Sequence, residues 1–340
     1  MTLRLASRRG FGTHGYPQTI QTRLSGQTGK MTVEHTWDLL PYSQRMRGVN
    51  IALGNPAFAT VSASATPAPW AQLWTDWDTT SLQRRLDQAV TLGCNTVRMA
   101  GSVLAVTGGY ITRAQYLAKW GQFSGWCQDR KLFLYPYLAD YYNEGSVLSS
   151  TSTLQAEIVA AATYLHTLPD IVALDLVQES DPWLAGAGSS FSVTLYNAVK
   201  AVTNLPCTYS QTGTIASSVT SYTDRRDFAD LHIYGTSGSQ PSDLTTAWTG
   251  GLTYPVCFGE FGTNPAGNSA AQVTRLNQIL GLFAATGGSG QRVAGALRWT
   301  VEDYDTAANQ NNHGLFDETG AEKATETVAF RTIPRWYNAT

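Results

Sequence analysis

Charge is what this 340-residue sequence has least of: Asp, Glu, Lys and Arg together make 14%, against the usual quarter. The signs nearly cancel, 23 basic against 25 acidic side chains, for a net charge of −2. No basic stripe and no acidic tail runs along the chain, so neither nucleic acid nor an anionic membrane is an expected partner. No apolar run approaches the roughly 18 residues of a membrane-spanning helix. Cysteine is sparse, and Cys94, Cys127, Cys207 and Cys257 form no CxxC pair. They read as buried free thiols. His14, His35, His166, His232 and His313 are dispersed, without HExxH or paired Cys/His spacing, so no metal is expected. No phosphate-binding glycine loop and no GxSxG elbow occurs, and no cofactor is expected.

The first 30 residues are basic and polar and lack an apolar h-region, which argues against a secretory signal. The abundance of Ser, Thr, Gly, Ala and Trp is nevertheless that of an extracellular surface. Three routes reconcile the two: a signal already removed, another mode of export, or release as part of a virion. Residues 1–44 read as an irregular N-terminal extension, and residues 45–340 as one folded unit.

Hydrophobic residues make up 43%, enough for a large core. From Arg45 onward, short β-branched or apolar runs alternate with helical patterns. The strand candidates are 46–53, 95–100, 131–140, 171–179, 206–211, 228–235, 255–262 and 294–301. Helical spacing appears at 81–93 and 112–128, the latter behind a capping Thr112, at a segment opening on Ser152 and Gln155 in capping-box spacing, and at 268–286 and 321–332, with a short helix in QPSDLTTAW. Eight βα units over about 290 residues predict a (β/α)8 TIM barrel. The alternative, a doubly wound open sheet, would place a glycine-rich turn after the first strand. The segment found there, 54–77, contains no GxGxxG.

Barrel enzymes carry their chemistry at the C-terminal ends of the strands. Those ends hold Asn50, Arg98, Asp140, Gln178 with Glu179, His232 with Tyr234, Glu260, and Trp299. Two carboxyl groups facing each other across a barrel mouth suit glycoside hydrolysis, one as acid and the other as nucleophile or base. An arginine and a tyrosine hydroxyl would keep the nucleophile ionised, and an apolar setting would keep the acid protonated. A tryptophan offers a face for the C–H side of a sugar ring.

These strand ends resemble those of the clan A retaining glycoside hydrolases, most closely family 5, the cellulase and mannanase group. The resemblance rests on RGVN (47–50), NTVRM (95–99), LDLVQES (174–180), DFADLHIYG (227–235), YPVCFGEFG (254–262) and ALRWTVEDY (296–304). It implies Glu260 as nucleophile and Glu179 as acid/base, with a carbohydrate as substrate. It further implies Arg98 and Tyr234 as supports of Glu260, His232 as a polar wall and Trp299 as a sugar platform. Two positions depart from the family pattern. Gln178 stands where the family has Asn, an exchange that shifts the ring or points to an unusual sugar such as a furanoside. In LADYYNEG (138–145) no histidine follows the third strand, and Asp140 or Tyr141 stands in its place.

Among the other conspicuous residues, Asp175 reads as structural, and Asp181, Glu302 and Asp303 as loop carboxylates. Trp120 and Trp126 read as core. Trp70, Trp74 and Trp77 share a helical face and cover an end of the barrel or line sugar subsites. Trp183, four residues after Glu179, is the better subsite candidate. Against hydrolysis stand three other readings: a decayed barrel that only binds carbohydrate, a transglycosylase, and, within hydrolases, a virion-borne depolymerase of cell-wall glycans.

Overall fold

The computed structural model describes residues 46–51, 69–140, 151–186, 188–212, 214–234, 255–262, 269–284, 293–303, 313–317 and 319–337. The eight strands are β1 (Met46–Ile51), β2 (Thr96–Ala100), β3 (Phe133–Tyr137), β4 (Leu174–Asp175), β5 (Cys207–Thr208), β6 (Ala229–Ile233), β7 (Val256–Phe261) and β8 (Val293–Arg298). They form one sheet in the order β5-β4-β3-β2-β1-β8-β7-β6. Neighbours within it run parallel. The seam between β5 and β6 closes through a parallel bridge, Gln211 to Leu231. There the Gln211 N–H donates to the Asp230 carbonyl at 3.0 Å and the His232 N–H to the Gln211 carbonyl at 2.9 Å. The molecule is a (β/α)8 barrel.

Helices fill the connections: α1 (Pro69–Thr75), α2 (Thr79–Thr91), α3 (Leu104–Thr107), α4 (Arg113–Asp129), α5 (Thr151–Leu165), α6 (Asp181–Ala185), α7 (Ser189–Lys200), α8 (Ile215–Thr220), α9 (Ser269–Ala284) and α10 (Ala324–Tyr337). The Asp78 side chain caps α2 by accepting from the N–H groups of Thr80 and Ser81, which satisfies donors a helix start leaves open. Thr112 and Gln115 close a reciprocal capping box on α4. The box expected at Ser152 and Gln155 does not form as drawn, because α5 already begins at Thr151 and Ser152 lies inside its first turn. No helix among the described residues is long and apolar enough to cross a membrane. The extension at 1–44, Trp70's side chain, Tyr141 and the QPSDLTTAW segment lie outside the described residues.

Strand alternation divides the apolar residues into two cores. Met46, Tyr135, Phe228, Cys257 and Leu297 pack together in one cluster. Val49, Ile51, Val97, Met99, Leu134 and Leu174 join the helix side chains in the other. Trp74 is fully buried, stacks on Trp77 with ring centroids 5.1 Å apart, and donates its indole N–H to the Ala100 carbonyl. Trp120 and Trp126 complete this aromatic layer between α1 and α4, so Trp74 and Trp77 serve packing. Cys127, Cys207 and Cys257 are buried, Cys94 is half-buried, and all four are free thiols.

Two loop carboxylates have structural partners. Glu302 accepts from Arg84, Arg85 and Gln88 of α2. Burial alone would raise its pKa, but these donors outweigh it and hold the carboxyl below the usual range. Asp303 pairs with Lys323 and accepts the Gly314 N–H.

Candidate active site

Strand periodicity brings the polar residues together. Side chains two apart share a face, so Asp230, His232 and Tyr234 of β6 and its exit share one, as do Thr96, Arg98 and Ala100 of β2. At the centre is Arg98, fully buried. Its Nη1 donates to Glu260 Oε1 at 2.8 Å, Gln178 Oε1 at 3.0 Å and Asn50 Oδ1 at 3.1 Å. Its Nη2 donates to Asp175 Oδ2 at 2.7 Å, and its Nε lies 3.9 Å from Asp230 Oδ2. The guanidinium also sits over the Tyr137 ring, 4.5 Å from the centroid. Burial works against the arginine's charge, and Glu260, Asp175 and Asp230 more than offset it.

Glu260 ends β7. Besides Arg98 it accepts from the Tyr234 hydroxyl on Oε2 at 2.5 Å. Glu179 follows β4, and its Oε1 lies 2.9 Å from His232 Nδ1. The same nitrogen is 3.4 Å from Glu260 Oε2. One ligand atom from each of Glu179, His232 and Glu260 lies within 4.8 Å of the others. The Glu179 side chain is 20% exposed, whereas that of Glu260 is 2% exposed.

Burial pushes both carboxyl groups up to about 7, opposed at Glu260 by His232, Arg98 and Tyr234 and at Glu179 by Arg98. Near neutrality the two therefore share a proton. The direct donors decide where it sits. Two of them, Arg98 and Tyr234, point at Glu260 and favour its anion, while Glu179 faces His232 Nδ1. Burial drives His232 down to about 4, against the pull of Glu260.

The remaining predicted residues divide. Gln178 donates from Nε2 to Asp140 Oδ2 at 3.0 Å. With its oxygen on Arg98, its amide orientation is fixed, and Asp140 occupies the end of β3 beside it. Trp299 follows β8 and donates its N–H to the Phe261 carbonyl beside Glu260. Its peptide with Thr300 is cis. Trp183 departs from expectation. It is 4% exposed and packs on Phe191 and Tyr209. Its sequence distance from Glu179 is short, but α6 begins at Asp181 and turns the ring into the layer beneath α7.

Asp175, Asp230 and Ser210 belong to the site although sequence reasoning gave them no role in it. Asp230 accepts from the Tyr135 hydroxyl and from the Gly259 N–H at 2.6 Å. A Cβ on Gly259 would fall 2.2 Å from the Asp230 carboxylate, so only glycine fits the residue preceding Glu260. Burial raises the pKa of both aspartates, against the pull of Arg98. Asp230 was legible in the DxHxY alternation of β6. Asp181, which accepts from the Thr212 N–H and Gln211, braces the turn behind Glu179.

Among the described residues, Glu179, His232 and Glu260 are the group that could offer ligands to a metal ion. Arg98 and Tyr234 already occupy both Glu260 oxygens, so any ion there would have to displace these hydrogen bonds.

A closed parallel barrel with two carboxyl groups at its mouth is the architecture of many hydrolases. No family model matches the sequence, and no curated protein is detectably similar to it. Solved structures are similar in fold. A GH5_18 protein from Streptomyces cattleya, in complex with GlcNAc, superposes with a TM-score of 0.64 at 14% identity over 87% of this chain and 80% of that one. A variant of the GH5_18 protein from the same organism, in complex with Manb1-4GlcNAc, gives 0.65 at 15% identity, over 87% and 82%. The exo-beta-1,4-mannosidase Op5Man5 from Opitutaceae bacterium strain TAV5 gives 0.64 at 16%, over 86% of this chain and 60% of that one. The fold shared is that of glycoside hydrolase family 5 structures.

Proposed function

We propose that this protein is a retaining glycoside hydrolase that cleaves an oligosaccharide or polysaccharide by double displacement. Glu260 attacks the anomeric carbon while Glu179 protonates the departing oxygen. Glu179 then takes a proton from the water that releases the sugar from Glu260. The observation that carries this reading is the approach of the two carboxyl groups, with oxygens within 4.8 Å of each other. Retaining enzymes hold such groups about 5–5.5 Å apart, and inverting ones leave room for a water at about 6.5–9.5 Å. The unequal donor sets support the division of roles: Arg98 and Tyr234 stabilise an anion on Glu260, and Glu179 is left as the acid. Gln178, through its remaining amide hydrogen, and Asp140 would meet the sugar hydroxyls, and Trp299 would carry the ring face. The barrel fold shared with glycosidases supports the class, and the Manb1-4GlcNAc complex of a neighbour makes β-mannosides the first substrates to try.

The test is a panel of plant, fungal and bacterial wall polysaccharides and aryl β-D-mannosides, read by reducing ends or released phenol. The first-formed anomer is followed by proton NMR. Retention is expected, and Glu260→Gln is expected to lose at least about 10⁴-fold in kcat, as removal of a covalent nucleophile does. An inverted product, or a variant at wild-type rate, overturns the assignment.

A further inference from the structure

Gln178 and Glu179 are neighbours in sequence, yet both head groups reach the same cluster, one at Arg98 and the other at His232. A regular strand would send them to opposite faces. The chain resolves this by placing Glu179 in the left-handed region, with φ of +50°. A residue with a Cβ stays there only when its surroundings hold it.

Ser210, two residues beyond β5 and fully buried, supplies the hold. Its Oγ accepts the Glu179 N–H at 3.1 Å. Its carbonyl accepts the Ser180 N–H at 3.0 Å and the Ser180 hydroxyl at 3.1 Å. Its own N–H donates to Asp175 Oδ1 at 3.1 Å. Asp175 in turn binds Arg98, and Arg98 binds Glu260. A continuous chain of hydrogen bonds thus refers the backbone of Glu179 to the carboxylate of Glu260.

We propose that Ser210 is the positioning residue of the acid/base, its hydroxyl fixing the left-handed backbone of Glu179 and with it the reach of that carboxyl toward the scissile bond. This rests on the reading of Glu179 given above. Ser210→Ala removes one oxygen and leaves the backbone bonds to Asp175 and Ser180. The mechanism makes a specific demand on the variant. A misplaced acid matters for a poor leaving group and is nearly irrelevant for one that departs unaided.

The experiment compares kcat/KM on phenyl and 2,4-dinitrophenyl β-D-mannopyranoside for wild type, Ser210→Ala, Ser210→Thr and Glu179→Ala. Ser210→Ala is expected to lose roughly 10- to 100-fold on the phenyl glycoside and under about 3-fold on the dinitrophenyl one. Ser210→Thr, which keeps the hydroxyl, restores the phenyl rate. Equal losses on both glycosides, or none, overturn the proposal. If Glu179→Ala itself shows no leaving-group dependence, the acid/base reading has failed rather than the role of Ser210. A second readout needs no turnover: in a crystal structure of Ser210→Ala, Glu179 is expected to leave the left-handed region and its contact with His232. An unchanged Glu179 overturns the proposal. Should the alanine variant not fold, Ser210→Cys, a weaker acceptor, is expected to show the same leaving-group dependence at smaller amplitude, and its absence counts equally against the idea.

Discussion

Replacing Arg98 with methionine is the severest single perturbation that the site allows without changing a proposed reacting group. The side chain volume is roughly kept, but the cation is gone, and Asp175, Asp230 and Glu260 are left around a buried apolar stem. Removing one partner of a buried ion pair costs about 3–5 kcal/mol, a large part of the roughly 5–15 kcal/mol that holds a domain folded. The pH dependence tests the cause. Burial already raises the pKa of all three carboxyl groups, and Arg98 opposes the rise. Without the arginine they rise further above their unfolded values. A carboxyl whose folded pKa is raised favours the folded state at low pH, and that advantage is lost as pH climbs through the folded value. The penalty of Arg98→Met should therefore be small near pH 5 and larger at pH 8. Urea unfolding at the two pH values, followed by tryptophan fluorescence, measures it. Arg98→Lys, which keeps charge and loses the fork, should fall between. A penalty that is equal at both pH values, or larger at pH 5, refutes the account of Arg98 as the charge that keeps these carboxylates ionised.

Four further outcomes are expected. Turnover should follow a bell in pH with its limbs on either side of about 7, where burial puts both carboxyl groups. Tyr234→Phe removes a donor that lowers Glu260 and should move the acidic limb of kcat/KM upward; a limb that stays put argues against Glu260 as the ionised partner. Glu260→Gln should be more stable than wild type above pH 7, since it abolishes a buried charge, and equally stable near pH 4, which paired urea titrations would show. Glu302→Gln strips the charge that faces buried Arg85 and should cost about 3–5 kcal/mol without altering the leaving-group preference expected under the proposed mechanism; a change under about 1 kcal/mol would mean that the clasp on α2 is dispensable.

Much of the architecture could be read from the residues, because burial imposes a rhythm on them. Each apolar run expected to be a strand overlaps one, and the alternation within β6 and β7 delivers His232, Tyr234 and Glu260 to one place. Strand length was less legible. The runs at 171–179 and 206–211 hold continuous strand over two residues each, Leu174–Asp175 and Cys207–Thr208, with isolated bridges at Ile171, Gln178 and Gln211. Beyond Asp175 the pairing goes on only as isolated bonds and bridges, among them Leu176 to Thr208 and Gln178 to Ala139, where the chain presents two consecutive side chains to the site. Trp183 misled for a related reason. Closeness along the chain does not guarantee closeness in space, and within α6 the ring packs on Phe191 and Tyr209. Ser210 carried no signal at all, since a serine at a strand exit is commonplace and its importance lies in a backbone angle thirty-one positions away.

Arg98 also bears on how the chain is synthesised. Its acidic partners, Asp175, Asp230 and Glu260, all lie downstream, the last 162 positions on, and Arg85 waits 217 positions for Glu302. Until those downstream carboxylates are made, these guanidinium groups lack their hydrogen-bonded partners and favour hydration. The nascent first half therefore cannot dehydrate its own centre, and final consolidation is deferred until the C-terminal strands emerge. A barrel wired this way guards against premature collapse at the expense of speed.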